Sequence, residues 1–328
     1  MSAPWTPPSP TLDVGPLLDP EIAAILEVAA MDLSILSDDT VAAVRAGMAE
    51  RAPVIELSDA VERTDHAIPG AADGVSVRVH RPVGVTGSLP CVYWIHGGGY
   101  VLGSNDMDDL RFDRWCPMYG CVGVSIDYRL APETAYPGPL DDCYAGLAWA
   151  VEHAGDLGID PDCVGIGGNS AGGGLAAGLG LLTRDRGEID LAFQLLVYPM
   201  IDDRMITPSS TWKDPVWPPA ANHYGWSSYL GALYGTDDVP AYAAAARATE
   251  LAGLPPTLIT VGALDGFSDE DIDYALRLRH AGVPTELHVY PGGPHGFDAL
   301  AAGTAVADRA RRDAEEWLAA RLGRAGGR

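Results

Sequence analysis

Three side chains in this 328-residue chain have the types and the order that acyl-transfer chemistry needs. Ser170 lies in Gly168-Asn169-Ser170-Ala171-Gly172, Asp265 closes the apolar run LITVGALD, and His295 follows ELHVYPGG in PHGF. A serine hydroxyl is inert at neutral pH. It becomes a nucleophile when a histidine takes its proton and a carboxylate orients that histidine. The reaction also needs backbone N–H groups aimed at the oxyanion that develops on the substrate carbonyl. His96-Gly97-Gly98-Gly99, directly after the apolar run CVYWI, offers such groups, since glycines leave their N–H groups unobstructed. His96 itself reads as a brace for that loop.

Other readings of the same residues are weaker. The stretch CVGIGGNSAGGGLAAG (163–178) also fits a dinucleotide-binding pattern through Gly172, Gly174 and Ala177. In that fold the first glycine belongs at the end of the strand, whereas here Ser170 occupies the turn. Gly172 and Gly174 fall in the first turn of the next helix, where they would let it pack closely. Asp269 and Asp271 rival Asp265 but fall on the following helix. The pairs Asp141-Asp142 and Asp202-Asp203 read as capping or solvated residues. No H-E-x-x-H, C-x-x-C or histidine cluster suggests a metal site.

These candidates require elements that deliver them to one place. GVSVRVHRP (74–82) alternates with period two, as a half-buried strand does. CVYWIHGGG (91–99), CVGVSIDYR (121–129), CVGIGG (163–168), FQLLVYP (193–199), PTLITVGALD (256–265) and TELHVYPG (285–292) read as further strands. Helical patterns fill 138–154, 171–184, 268–281 and 304–322, the last with Val306, Ala310, Trp317 and Leu318 on one stripe. Strands alternating with helices predict a mostly parallel sheet covered on both faces. Ser170, Asp265, His295 and the glycine loop all follow predicted strands, so they converge at the carboxyl ends of the sheet. Residues 1–50 look separate. Asp19 N-caps a helix with Pro20 in its first position, and a second helix starts near Ser37 and Asp38. Residues 200–250 break the alternation with Trp212, Trp217, Trp226, Tyr224, Tyr229 and Tyr234, the mark of an insertion or lid. The AYAAAARA run (241–248) is short and open to a helical reading. The expected division is a helical segment at 1–50, a catalytic domain formed by 51–199 and 251–328, and a cap insertion at 200–250.

Composition narrows the partners. With 47% hydrophobic and 20% charged residues the chain is globular and able to bury a large core. A formal net charge of -24 disfavours nucleic acid and anionic membrane surfaces. No apolar run approaches the roughly 18 residues of a membrane span. The opening MSAPWTPPSP shows no basic and apolar leader. Five cysteines without C-x-x-C spacing, several in apolar runs, read as reduced and buried, so a cytoplasmic location is expected.

Taken together, HGGGYVLGS (96–104), DYRLAPE (127–133), GNSAGGGLA (168–176), the strand-end aspartate and PHGF (294–297) resemble the hormone-sensitive-lipase-like esterases, the bacterial family IV carboxylesterases. The resemblance runs in order from about residue 75 to the C-terminus. It implies an α/β-hydrolase fold with an eight-stranded, mostly parallel sheet and a helical cap. It implies Ser170 as nucleophile, His295 as base, Asp265 as its orienter, and the N–H groups of Gly98, Gly99 and Ala171 as the oxyanion hole. It makes residues Tyr128 to Glu133 a supporting turn. It implies a small-molecule ester substrate and no cofactor or metal, and dimers are common in the family. Two departures, Asn169 in the elbow and Asp265-Gly266-Phe267-Ser268-Asp269 in place of D-P-L-x-D, bear on the subfamily and hence the substrate. A lactonase or an aryl-amide hydrolase would use the same residues. A non-catalytic binding protein would be expected to lack one of the three.

Overall fold

The β-branched and apolar runs of the chain pair into one sheet of eight strands. They are β1 (Val61–Ala67), β2 (Ser76–Pro82), β3 (Leu89–Ile95), β4 (Val122–Asp127), β5 (Ile159–Asn169), β6 (Gln194–Val197), β7 (Thr257–Gly262) and β8 (Thr285–Tyr290). Their order in space is β1-β2-β4-β3-β5-β6-β7-β8. The β1/β2 and β2/β4 pairs are antiparallel, and every pairing from β4 through β8 is parallel. The computed structural model describes residues 11–29, 31–52 and 55–323.

Strand order decides where a site can form. β3 is flanked by β4 on one side and β5 on the other, so the connections leaving β3 and β4 run in opposite directions along the sheet. A crevice opens outside the carboxyl ends of the strands at such a reversal. The glycine loop leaves β3 at that crevice and Ser170 leaves the neighbouring β5, with Ile95 opposite Gly168 in the register.

Ten helices are described: α1 (Pro20–Ala29), α2 (Val41–Arg51), α3 (Asp109–Tyr119), α4 (Gly138–Glu152), α5 (Ala154–Leu157), α6 (Ala171–Arg186), α7 (Pro219–Leu230), α8 (Ser268–His280), α9 (Phe297–Leu300) and α10 (Ala305–Leu322). One face of the sheet buries Tyr93, Ile95, Val124, Ile126 and Ile166 against a core that includes Leu147 of α4 and Leu175 of α6. The other face buries Val92, Trp94, Leu195 and Leu258 with Phe112 and Trp115 of α3 and Trp317 and Leu318 of α10. All five cysteines are free thiols and buried. Asp19 caps α1 as the sequence predicts, its carboxylate accepting from the N–H groups of Glu21 and Ile22.

Three features differ from the sequence reading. α3 was not anticipated because Pro117 interrupts its pattern; the proline falls in the last turn, and burial of Phe112, Trp115 and Cys116 holds the helix. The AYAAAARA run is not a helix: it forms a single 3-10 turn at Ala245–Arg247. Three of the four paired acids are not solvated, Asp141 alone being exposed. Asp142, Asp202 and Asp203 are buried and take the guanidinium groups of Arg129, Arg204 and Arg247.

Candidate active site

The path of the chain around Ser170 follows from its neighbours. β5 ends at Asn169 and α6 begins at Ala171, leaving one residue to make the turn. Ser170 does so at φ 57° and ψ -124°, a conformation that costs a non-glycine residue about 1–3 kcal/mol. Three backbone bonds hold it: the Ser170 N–H donates to the Val197 carbonyl, and the Ser170 carbonyl accepts from Gly174 and Met200. The turn fits because Gly172 has no side chain. α6 therefore starts directly beneath the hydroxyl, with the positive end of its dipole at Ser170.

His295 is delivered by the loop after β8, and Asp265 by the turn after β7. Ser170 Oγ lies 2.9 Å from His295 Nε2, and His295 Nδ1 lies 2.8 Å from Asp265 Oδ2. The carboxylate fixes the tautomer: Nδ1–H donates to Asp265 and leaves Nε2 to accept from the serine hydroxyl. Asp265 Oδ1 accepts from the Phe267 N–H at 2.9 Å, which locks the carboxylate plane. All three residues are buried, with Ser170 and His295 each 6% exposed. Edges of Tyr198 and Phe267 pack against the imidazole, both with ring centroids at 4.9 Å. Burial pushes the imidazole towards its neutral form, but the charge and hydrogen bond of Asp265, followed by the charges of Asp214 and Asp298, outweigh it and leave the pKa raised.

The glycine loop after β3 runs beside Ser170, so that a side chain on Gly97 would stand 3.3 Å from the Ser170 Cβ. Gly98 and Gly99 have φ of +118° and +61°, a region that glycine enters without penalty. A side chain on Gly98 would strike the Leu102 carbonyl oxygen at 2.1 Å. Among the described residues the N–H groups of Gly98, Gly99 and Ala171 have no acceptor. His96 braces the loop as its position suggested. It is fully buried, stacks on Tyr128 at 4.3 Å and bonds the Gly97 carbonyl through Nδ1. Tyr128 in turn donates to the His96 carbonyl.

Comparison with known proteins bears on the family and the fold. A family described by the α/β-hydrolase fold matches residues 92–299. Esterase LipI of Mycobacterium tuberculosis is 33% identical over 291 residues, covering 88% of this chain and 90% of its own. The chain belongs to the α/β-hydrolase fold family.

Within that family, carboxylic ester hydrolase LipN of Mycobacterium tuberculosis is 35% identical over 296 residues, covering 86% of this chain and 77% of its own. The solved structure of a bacterial heroin esterase superposes with a TM-score of 0.87 at 40% identity, covering 94% of this chain and 99% of that one. Esterase LipW from Mycobacterium marinum superposes with a TM-score of 0.83 at 34% identity, covering 95% of this chain and 98% of that one. This α/β hydrolase thus falls with the hormone-sensitive-lipase-like esterases that its motifs resemble.

Several residues were given no place at the site from the sequence. Trp217 stands over the loop, so that a side chain on Gly99 would meet its ring at 2.1 Å. Glu270 accepts from the N–H groups of Ile201 and Asp202 and ties the start of the 200–250 segment to α8. The Arg45 guanidinium of α2 donates to the carbonyls of Val101 and Ala131 and pairs with Glu133. Asp214 accepts from the backbone of His295. Arg45 and Glu270 fall in predicted helices and Asp214 and Trp217 in the 200–250 segment, and only the fold shows their partners. The rivals of Asp265 have other surroundings: Asp269 accepts from the Ser209 N–H, and Asp271 is buried without a hydrogen-bond partner.

Proposed function

We propose that the chain is a serine carboxylesterase that hydrolyses small to medium acyl esters through an acyl-enzyme. The observation that carries this reading is the relay from Ser170 through His295 to Asp265, with 2.9 and 2.8 Å between successive heavy atoms. His295 Nε2 takes the hydroxyl proton as Ser170 Oγ attacks the ester carbonyl. Asp265 stabilises the imidazolium that forms. The N–H groups of Gly98, Gly99 and Ala171 receive the oxyanion, each contributing about 2.7–4 kcal/mol to the transition state. His295 then protonates the leaving alcohol, and water repeats the sequence on the acyl-enzyme to release the acid.

Residues 1–50 and 200–250 act in this reading as a cap over the catalytic domain of 51–199 and 251–328. Contacts between the two segments support it. α7 packs on the Leu33–Ile35 turn, the Tyr224 hydroxyl donates to Asp38, and Asp13 pairs with Lys213. The aromatic residues of the cap would line an apolar acyl pocket, which suits short and medium chains better than charged acids.

The test is labelling by a fluorophosphonate together with hydrolysis of p-nitrophenyl butyrate. The wild type is expected to do both and Ser170→Ala neither. Hydrolysis retained by Ser170→Ala would refute the assignment.

A further inference from the structure

Asp214 belongs to the 200–250 segment, yet it is joined to both halves of the proposed machinery. Its side chain is buried, with the residue 2% exposed. Oδ2 accepts from the His295 N–H at 2.9 Å. Oδ1 accepts from the N–H groups of Val216 at 2.7 Å and Trp217 at 3.1 Å. Among the described residues no arginine or lysine pairs with it, so three backbone donors from two segments distant in sequence are its polar partners. Both segments end on the site. The His295 main chain carries the imidazole that lies between Ser170 and Asp265. The Trp217 indole closes over Gly99, where a methyl group would come to 2.1 Å from the ring, and its centroid lies 6.4 Å from that of His295.

We propose that Asp214 is a positioning residue: one carboxylate sets the base loop and the glycine loop in register with each other. This rests on the reading of His295 as base and Gly99 as oxyanion donor. A carboxylate suits the task because it accepts on both oxygens. An asparagine would turn an amide N–H towards one of the backbone donors, leaving that N–H unpaired. Its charge adds a second effect. Asp265, Asp214 and Asp298 are the carboxylates that act on His295, with the Tyr198 hydroxyl donating to Asp298, and each favours the imidazolium. Burial and the nearby Asp265 push the Asp214 carboxyl up to about 6, so the charge is present at neutral pH. Retaining a buried acid at that cost is consistent with a role that no neutral side chain of similar size can fill.

The experiment compares wild type, D214N and D214E by kcat, KM, the pH profile of kcat/KM and near-UV circular dichroism, with p-nitrophenyl butyrate as substrate. D214N is expected to lose about 10–100-fold in kcat, the scale of a misplaced catalytic group, with KM little changed. Its acid limb should move to lower pH, because removing a negative charge lowers the pKa of His295. D214E should return that limb towards wild type while kcat stays low, since the charge is restored but the longer arm shifts the His295 backbone. A purely structural role would lower stability without moving the limb. Native-like D214N with wild-type kcat and acid limb would overturn the proposal. So would loss of fold in both variants, which would make Asp214 a stability residue. A wild type that neither hydrolyses the ester nor takes the fluorophosphonate would remove the esterase reading itself, so the two failures are told apart.

Discussion

The α-carbon of Gly172 lies against the end of β3, where a methyl group would stand 2.1 Å from the Ile95 carbonyl oxygen and 2.3 Å from that of His96. The first turn of α6 is thereby pressed onto the strand that feeds the glycine loop. The proposed nucleophile and the proposed oxyanion donors share one junction, made by the absence of a side chain.

Gly172→Ala tests that junction. Alanine is intrinsically the better helix former by about 1 kcal/mol, so propensity alone predicts a gain. The contact is with backbone, which cannot swing aside, and overpacking of this kind costs about 1–3 kcal/mol. The clash is expected to win, giving a lower melting temperature and slower fluorophosphonate labelling. A rise in melting temperature with unchanged labelling would show that β3 and α6 can part freely.

The acid limb of kcat/KM should lie above the ordinary histidine value near 6.5. In the proposed mechanism His295 must be neutral to accept the Ser170 proton, and its pKa is raised because Asp265 and its neighbours outweigh burial. Activity therefore falls as pH drops through that raised value. Hydrolysis of an uncharged ester across pH 5–9 checks it, since the substrate itself does not titrate there.

Arg45 is expected to matter more than its position in the N-terminal segment suggests. It spans from α2 to the loop after β3, at Val101, and to the turn at Ala131–Glu133. The Glu133 side chain is 62% exposed, so the ion pair itself is screened and contributes little. The two carbonyl bonds carry the effect. Arg45→Ala should lower stability by about 1–3 kcal/mol and Glu133→Gln by much less, as read by denaturant midpoints.

Asp271 should make the protein less stable as pH rises. It is fully buried, neither oxygen has a hydrogen-bond partner, and burial followed by the charges of Glu270 and Asp265 holds its pKa well above the usual value. The native state therefore keeps a proton that the unfolded chain releases above about pH 4, and stability declines over that window. Asp271→Asn removes this term. The variant should match wild type near pH 5 and exceed it near pH 8 in melting temperature; equal slopes for the two proteins would contradict the account.

The parts of this structure legible in the sequence are those written in short range. Strands β3 to β8 show as apolar runs, and Ser170, Asp265 and His295 each follow one of them, so their convergence was implied by chain order. β1 was not singled out because VERTDHA is a polar edge strand that buries little beyond Val61. Asp214, Arg45 and the contact of Trp217 with Gly99 escaped for a different reason. Their decisive partners lie in segments remote in sequence. Asp203 was misread because its burial with the Arg247 guanidinium is a tertiary fact, invisible in an Asp-Asp pair.

The five buried thiols give this protein a reporter of its own opening. Burial pushes the thiols of Cys91, Cys143 and Cys163 up, so in the folded state they stay protonated as well as shielded. A soluble disulfide reagent at neutral pH then reacts only with molecules that have opened. The rate at which colour develops, and how many of the five sulfurs contribute at each step, measures local and global unfolding under native conditions with no label introduced.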